Sequence, residues 1–249
     1  MSQEKIINQV PHLWHMTRKV YRERGVKQLF RRGWQFVMQY HEFFLLHPAN
    51  IIYISGCPGG SFFYRCKNQS EELNRNGITT QVITQNIGVL GLLAKEYDVF
   101  ILQRVIWNEH IKNFLDEVKK RGKTVLFETD DLVFDPGYLS MMDYYQYMGD
   151  EEKSWYENGI GRELLEDPFV EQVVVSTDPL ADAVRKKYPE KTVWVSYNKM
   201  GSDQIKAAEA AYQKKQAIQE ERTTLRLGYF SGSKSHNKDF ETIAPVIVR

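Results

Sequence analysis

From residue 50 onward, short runs of consecutive apolar residues alternate with longer stretches in which apolar positions recur every three or four residues. The runs at residues 50–55, 79–84, 98–103, 123–128, 173–176 and 192–196 are too short for helices and rich in Val, Ile, Phe and Tyr, so they predict strands. The stretches at 62–76, 87–96, 108–121 and 179–188 predict helices, two of them closed by Gly77 and Gly122 at the usual C-terminal position. Strands that are apolar almost throughout are covered on both faces. With helices between them, they predict an α/β fold: a doubly wound parallel sheet.

The pattern differs at both ends. Residues 1–47 interleave Leu13, Tyr21, Leu29, Phe30, Trp34, Val37, Met38 and Phe44 with basic residues, and Gly25 and Gly33 divide the segment into short helices. Two readings stand: a helical arm packed on the following domain, or a basic amphipathic segment lying at a membrane surface through residues 13–44. A basic run without a reading motif is the weakest case for nucleic acid. Residues 202–223 are polar and rich in Ala, Lys, Gln and Glu, which predicts a linker helix. Residues 225–230 then open a new strand, with a helix from about Lys238. One strand and one helix cannot bury their own faces. Residues 224–249 are therefore expected to begin a second domain that is truncated here, and residues 48–201 to form the first.

Composition narrows the class. The 249 residues are 42% hydrophobic and 26% charged, which excludes a disordered or collagen-like chain. No apolar run reaches the roughly 18–20 residues that span a bilayer, and residues 1–12 lack a signal-peptide layout. Two cysteines, Cys57 and Cys66, make no disulfide framework, which fits a reducing cytoplasmic location. The net charge of +1 conceals a segregation. Residues 18–32 carry seven bases (Arg18, Lys19, Arg22, Arg24, Lys27, Arg31 and Arg32) against Glu23, whereas residues 128–171 carry thirteen acids against Lys153 and Arg162. Such asymmetry suits an oriented surface facing an anionic membrane or a phosphate-bearing partner.

In an open parallel sheet, ligands bind beyond the carboxyl ends of the strands, and three candidates fall there. Gly56-Cys57-Pro58-Gly59-Gly60-Ser61 follows the first strand and precedes a helix. The backbone at Gly59, Gly60 and Ser61 either approaches an anion at the helix start or makes a plain turn. It is neither a Walker loop nor a dinucleotide fingerprint. Asp130 and Asp131 end the fourth strand, where carboxylates bind sugar hydroxyls, act as a base, hold a cation or cap the next helix. Phe230-Ser231-Gly232-Ser233-Lys234-Ser235-His236-Asn237-Lys238 again joins a strand to a helix, as a diphosphate loop or a solvated one. His110 reads as a surface residue. The cysteines lack partners at zinc spacing, so no metal site is expected. Ser176 and the histidines show no nucleophile–base arrangement. A tyrosine-rich acidic stretch with Tyr138, Tyr144, Tyr145, Tyr147, Trp155 and Tyr156 predicts a helical lid over the strand ends.

From about Asn50 to the end, the chain resembles bacterial glycosyltransferases of the GT-B fold, the group 1 or family 4 type, which have two facing Rossmann-like domains. The Gly59-Gly60 loop is similar to their glycine-rich loop near the donor diphosphate. Gly122 to Asp131 is similar to their fourth strand, with Asp130-Asp131 where many members have His-Asp. Val173 to Ser176 is similar to the late strand ending in serine. Val193 to Asn198 is similar to the strand ending in asparagine near the hinge. Leu227 to Phe240 is the most specific match, to the first strand and loop of the donor domain. Lys238 falls on the phosphate-binding lysine there, beside Gly232 and Ser233; Ser233 stands where many members have arginine. Gln103-Arg104 replace the histidine that follows the third strand.

The resemblance implies an acceptor-side Rossmann-like domain followed by the first piece of a donor domain. It implies transfer of a sugar from a nucleotide diphosphate sugar to a glycan or lipid-linked acceptor in polysaccharide synthesis, retaining, with no metal and no cofactor besides the donor substrate. Asp130 or Asp131 would orient the acceptor hydroxyl, with Arg104 and Asn198 on the acceptor side. The basic arm would hold the enzyme at the inner face of the membrane. A catalytically silent glycan- or nucleotide-binding module of the same fold, and a membrane-surface scaffold, are the alternative readings.

Overall fold

The computed structural model describes residues 45–57, 59–85, 90–217, 228 and 243–247. The expected basic arm, apart from its last three residues, lies outside the described residues. So do Gly232, Ser233 and Lys238, and the linker beyond Ala217. The chain divides into two units between His47 and Pro48. Of the first, only Leu45–His47 are described, without regular structure beyond a turn.

The second unit contains a six-stranded sheet, all parallel: β1 (Ile51–Ser55), β2 (Thr80–Thr84), β3 (Val99–Gln103), β4 (Thr124–Thr129), β5 (Gln172–Val175) and β6 (Thr192–Val195). The order across the sheet is β2-β1-β3-β4-β5-β6. The fold is thus α/β and Rossmann-like. Each of the six runs expected to be strands between residues 50 and 196 is one, because apolar runs of this kind are stable where both faces are covered; the strand expected at 225–230 lies outside the described residues apart from Gly228. Ile51 pairs with Thr80 on one side and Val99 on the other, and Val99 with Thr124, so Ser55, Gln103 and Glu128 lie in one row across the carboxyl ends.

Helix α1 spans residues 60–75 and contains a π-helical turn, Phe63–Lys67. It packs Phe62, Cys66 and Leu73 on Tyr53 and Ile101. After the short α2 (Leu90–Leu93), α3 (Glu109–Lys120) covers the opposite face, with Phe114 edge-on to Phe100 at 5.2 Å between ring centres. Asn108 caps α3 by accepting from the His110 and Ile111 amides, and Gly122 follows its end at φ 61°. His110 is exposed, as its polar setting suggests.

The tyrosine-rich stretch departs from the helix expected. Two 3₁₀ turns, Pro136–Met141 and Asp143–Tyr147, precede α4 (Asp150–Asn158). Asp135 and Pro136 start the first turn, and extended backbone at Met142 separates it from the second. Helices α5 (Arg162–Glu166) and α6 (Asp178–Lys187) follow; α6 buries Leu180, Ala181 and Val184 and packs on β5 and β6. Helix α7 (Ser202–Ala217) buries no residue, as its polar composition suggests. No helix among the described residues is long and apolar enough to cross a membrane.

Candidate functional site

The strand order fixes where a ligand site can form. The chain steps from β1 outward to β2, then returns past β1 to β3. The loops after β1 and β3 therefore diverge and leave a crevice beyond the strand ends. Gly56 lies there because no other residue fits. A Cβ on it would stand 2.3 Å from the Arg104 carbonyl oxygen and 2.6 Å from the Val105 Cα. Its amide donates to the Gln103 carbonyl at 2.8 Å. Gly59, at φ 103° and ψ −145°, occupies backbone space reserved for glycine and starts α1. A Cβ on Gly59 or Gly60 would meet no described atom within 4 Å.

Asp130 is the centre of the cluster. Its Oδ2 accepts from the Ser61 hydroxyl at 2.5 Å, and its Oδ1 lies 3.3 Å from Arg104 Nη1. Its backbone carbonyl accepts from the Ser176 hydroxyl at 3.2 Å. Two elements thus hold the carboxylate, the start of α1 and the end of β3, and a third, the end of β5, holds its backbone. Asp131 is different. It is exposed, and its Oδ1 accepts from the Leu132 amide at 2.8 Å, a local turn contact. The Asp130-Asp131 pair therefore divides into one residue facing the crevice and one stabilising the turn.

Arg104 carries the left-handed backbone, φ 44°. Burial works against its charge, but Cys57, Asp130, Asp131 and Tyr156 raise its pKa overall. Tyr156, from α4, stands close enough to Arg104, Asp131 and Cys57 to feel all three, and burial pushes its phenol up. Burial likewise raises the Cys57 thiol. Both are neutral at pH 7, adding hydrogen-bonding groups without charge.

Beneath the crevice lies a buried polar layer. The π-helical turn directs Arg65 inward, 1% exposed, where its Nε donates to Glu128 Oε1 at 2.5 Å. Its Nη1 donates to the Ser196 carbonyl at 2.5 Å and to Asn198 Oδ1 at 3.0 Å. Asn198, expected on the acceptor side, is itself exposed, and by accepting from Arg65 it ties down the segment leaving β6. The Ser55 hydroxyl donates to Gln103 Oε1 at 2.5 Å, while Glu128 Oε2 and Gln103 Nε2 have no partner among the described residues. Burial pushes the Glu128 carboxyl from an ordinary 4.5 up to about 8, against the pull of Arg65.

The structure thus brings together Gly59, Gly60, Ser61, Arg104, Asp130 and Asp131, and ties Asn198 to Arg65. Sequence reasoning placed Gly56 and Cys57 in the candidate loop and Tyr156 in the expected lid without giving them individual roles, and it missed Arg65 and Glu128 as their support. The lone acid within apolar β4 was the available signal for Glu128. Among the described residues, no group of three or more His, Cys, Asp and Glu side chains is placed to hold a metal ion. The chain matches no family model, and no curated protein matches it.

Proposed function

We propose that the chain is the acceptor-side domain, with the first piece of the donor domain, of a glycosyltransferase of the GT-B type. The observation that carries this reading is the placement of Asp130: a carboxylate at the switch point of a parallel sheet, held by Ser61 and Arg104, beside a glycine-rich helix start. A carboxylate whose oxygens are already oriented still has lone pairs for an acceptor hydroxyl, and directs that oxygen's own lone pair at the sugar carbon. As the new glycosidic bond forms, the bond to the leaving diphosphate breaks, its electron pair goes to the phosphate oxygen, and that oxygen takes up the proton the acceptor hydroxyl gives up. Backbone amides at Gly59 and Gly60, with Gly232, Ser233 and the Lys238 ammonium, stabilise that charge. The substrate pair is a nucleotide diphosphate sugar and a glycan or lipid-linked acceptor. The basic segment at 13–44 keeps the enzyme near an anionic inner membrane face.

The test is turnover of nucleotide sugars by the natural gene product and by its Lys238→Ala variant. Removal of a charge-assisted phosphate contact is expected to lower turnover at least tenfold. Undiminished turnover by the variant would remove Lys238 from the reaction, and absence of turnover with every common nucleotide sugar would remove the reading.

A further inference from the structure

Arg104 is the residue at which the fold accepts the least favourable local arrangement. It is the only non-glycine residue with positive φ among those described. Packing imposes that backbone: the Arg104 amide donates to the Glu128 carbonyl at 2.9 Å, and its own carbonyl lies against Gly56. Glycine would suit the position better than any side chain, yet the sequence places arginine there. Its side chain is 11% exposed; among the described residues its Nη1 lies 3.3 Å from Asp130 and its Nε finds no partner. A guanidinium has five N–H donors, and the buried Nε–H of this one is unmet among the described residues. Strain combined with unsatisfied donors in a crevice points to a ligand contact.

Charge identifies the ligand class. Asp130 faces the guanidinium and Asp131, on the adjoining turn, adds a second negative charge that reaches it, so the cluster carries net charge −1, and the neighbouring Cys57 and Tyr156 are kept neutral by burial. An oxyanion would meet that excess negative charge. A neutral ligand with both donors and acceptors would not. Arg104 supplies donors beside Asp130, whose carboxylate supplies acceptors fixed by Ser61. Two neighbouring hydroxyls of a sugar ring match this: one donates to the carboxylate while the other accepts from the guanidinium.

We propose that Arg104 and Asp130 together grip the vicinal diol of an uncharged sugar ring, and that this site discriminates against phosphorylated or carboxylated sugars. The inference rests on the reading of the crevice as a sugar site, but not on transfer. The experiment is saturation-transfer NMR and calorimetry on the full chain with the methyl glycosides of glucose, galactose and mannose, their deoxy analogues lacking one diol hydroxyl, and their 6-phosphates. At least one glycoside is expected to bind, with its deoxy analogue and its 6-phosphate each at least tenfold weaker. Arg104→Gly is expected to weaken binding at least tenfold while melting no lower than the wild type, because glycine relaxes the backbone. Arg104→Asn, which also tolerates positive φ, is the second variant.

Wild-type binding by Arg104→Gly, equal binding of the phosphates, or no binding by any glycoside overturns the inference. Lower melting of both variants assigns Arg104 a structural role and overturns it too. Diol binding without sugar transfer would dismiss the transferase reading and leave this inference standing. Transfer at full rate by Arg104→Gly would do the reverse.

Discussion

At the scale of single residues, the crevice depends on a few positions that tolerate no substitute. Gly56→Ala would drive a Cβ into the Arg104 carbonyl and the Gln85 side chain at 2.3 Å. Backbone on the far side cannot yield as a flexible side chain does, so urea denaturation should show a loss of about 3 kcal/mol. Gly60→Ala, with no described atom within 4 Å of the new Cβ, should cost under about 1 kcal/mol. Glu128 gives a pH prediction. Its pKa is higher in the folded state than its ordinary 4.5, so folding takes up a proton between the two values. The stability this contributes is fully present below about pH 4.5 and is lost as pH rises through about 8. The urea midpoint should fall over that range, and Glu128→Gln should flatten the fall; the same fall in both proteins would contradict the assignment. The sequence marked Asp130-Asp131 as a pair. Which of them faces the crevice depends on contacts from Ser61, Arg104 and Ser176, 69, 26 and 46 residues away, and no local pattern encodes those.

At the scale of elements, α1 is gripped from two sides by different chemistry. Its apolar side lies on β1 and β3. Polar residues bind the segment leaving β6: Arg65 to Ser196 and Asn198, Asn68 to the Lys199 carbonyl at 2.8 Å, and Glu71 to the Ser202 amide at 3.2 Å. A Cβ on Gly201 would lie 2.6 Å from Asn68 Oδ1, a side-chain end that can move aside. Arg65→Leu leaves the Ser196 carbonyl, Asn198 and Glu128 without their donor, and should cost about 3 kcal/mol. Adding Glu128→Leu should recover part of the loss, which a double-mutant cycle measures directly. The strands were legible because buried parallel strands are apolar throughout. The π-helical turn was not, because one extra residue in a helical turn barely alters the 3.6-residue period. The tyrosine-rich stretch is an α-helix only in its second half: Pro136 and the extended Met142 confine Tyr138 to Tyr147 to 3₁₀ turns, while Trp155 and Tyr156 lie in α4.

For the whole molecule, a parallel sheet followed from the alternation of strand and helix, but the strand order did not, since pairing partners are distant in sequence. That order creates the switch point and so decides which loops form the crevice. Charge also acts at this scale. If residues 13–44 hold the protein at a membrane, Arg18, Arg22 and Lys27 changed together to Gln should weaken binding to anionic vesicles on the order of a hundredfold, at about 1 kcal/mol per basic residue. Equal binding by this variant would dissociate the basic segment from any membrane role. The central claim is that Asp130 orients an acceptor sugar for transfer. Its most direct test is sugar transfer from a nucleotide diphosphate sugar by the natural gene product and by its Asp130→Asn variant, compared at equal melting temperature. The account predicts transfer by the wild type and at least a hundredfold loss in the variant, with the fold intact; transfer by Asp130→Asn at the wild-type rate would contradict it.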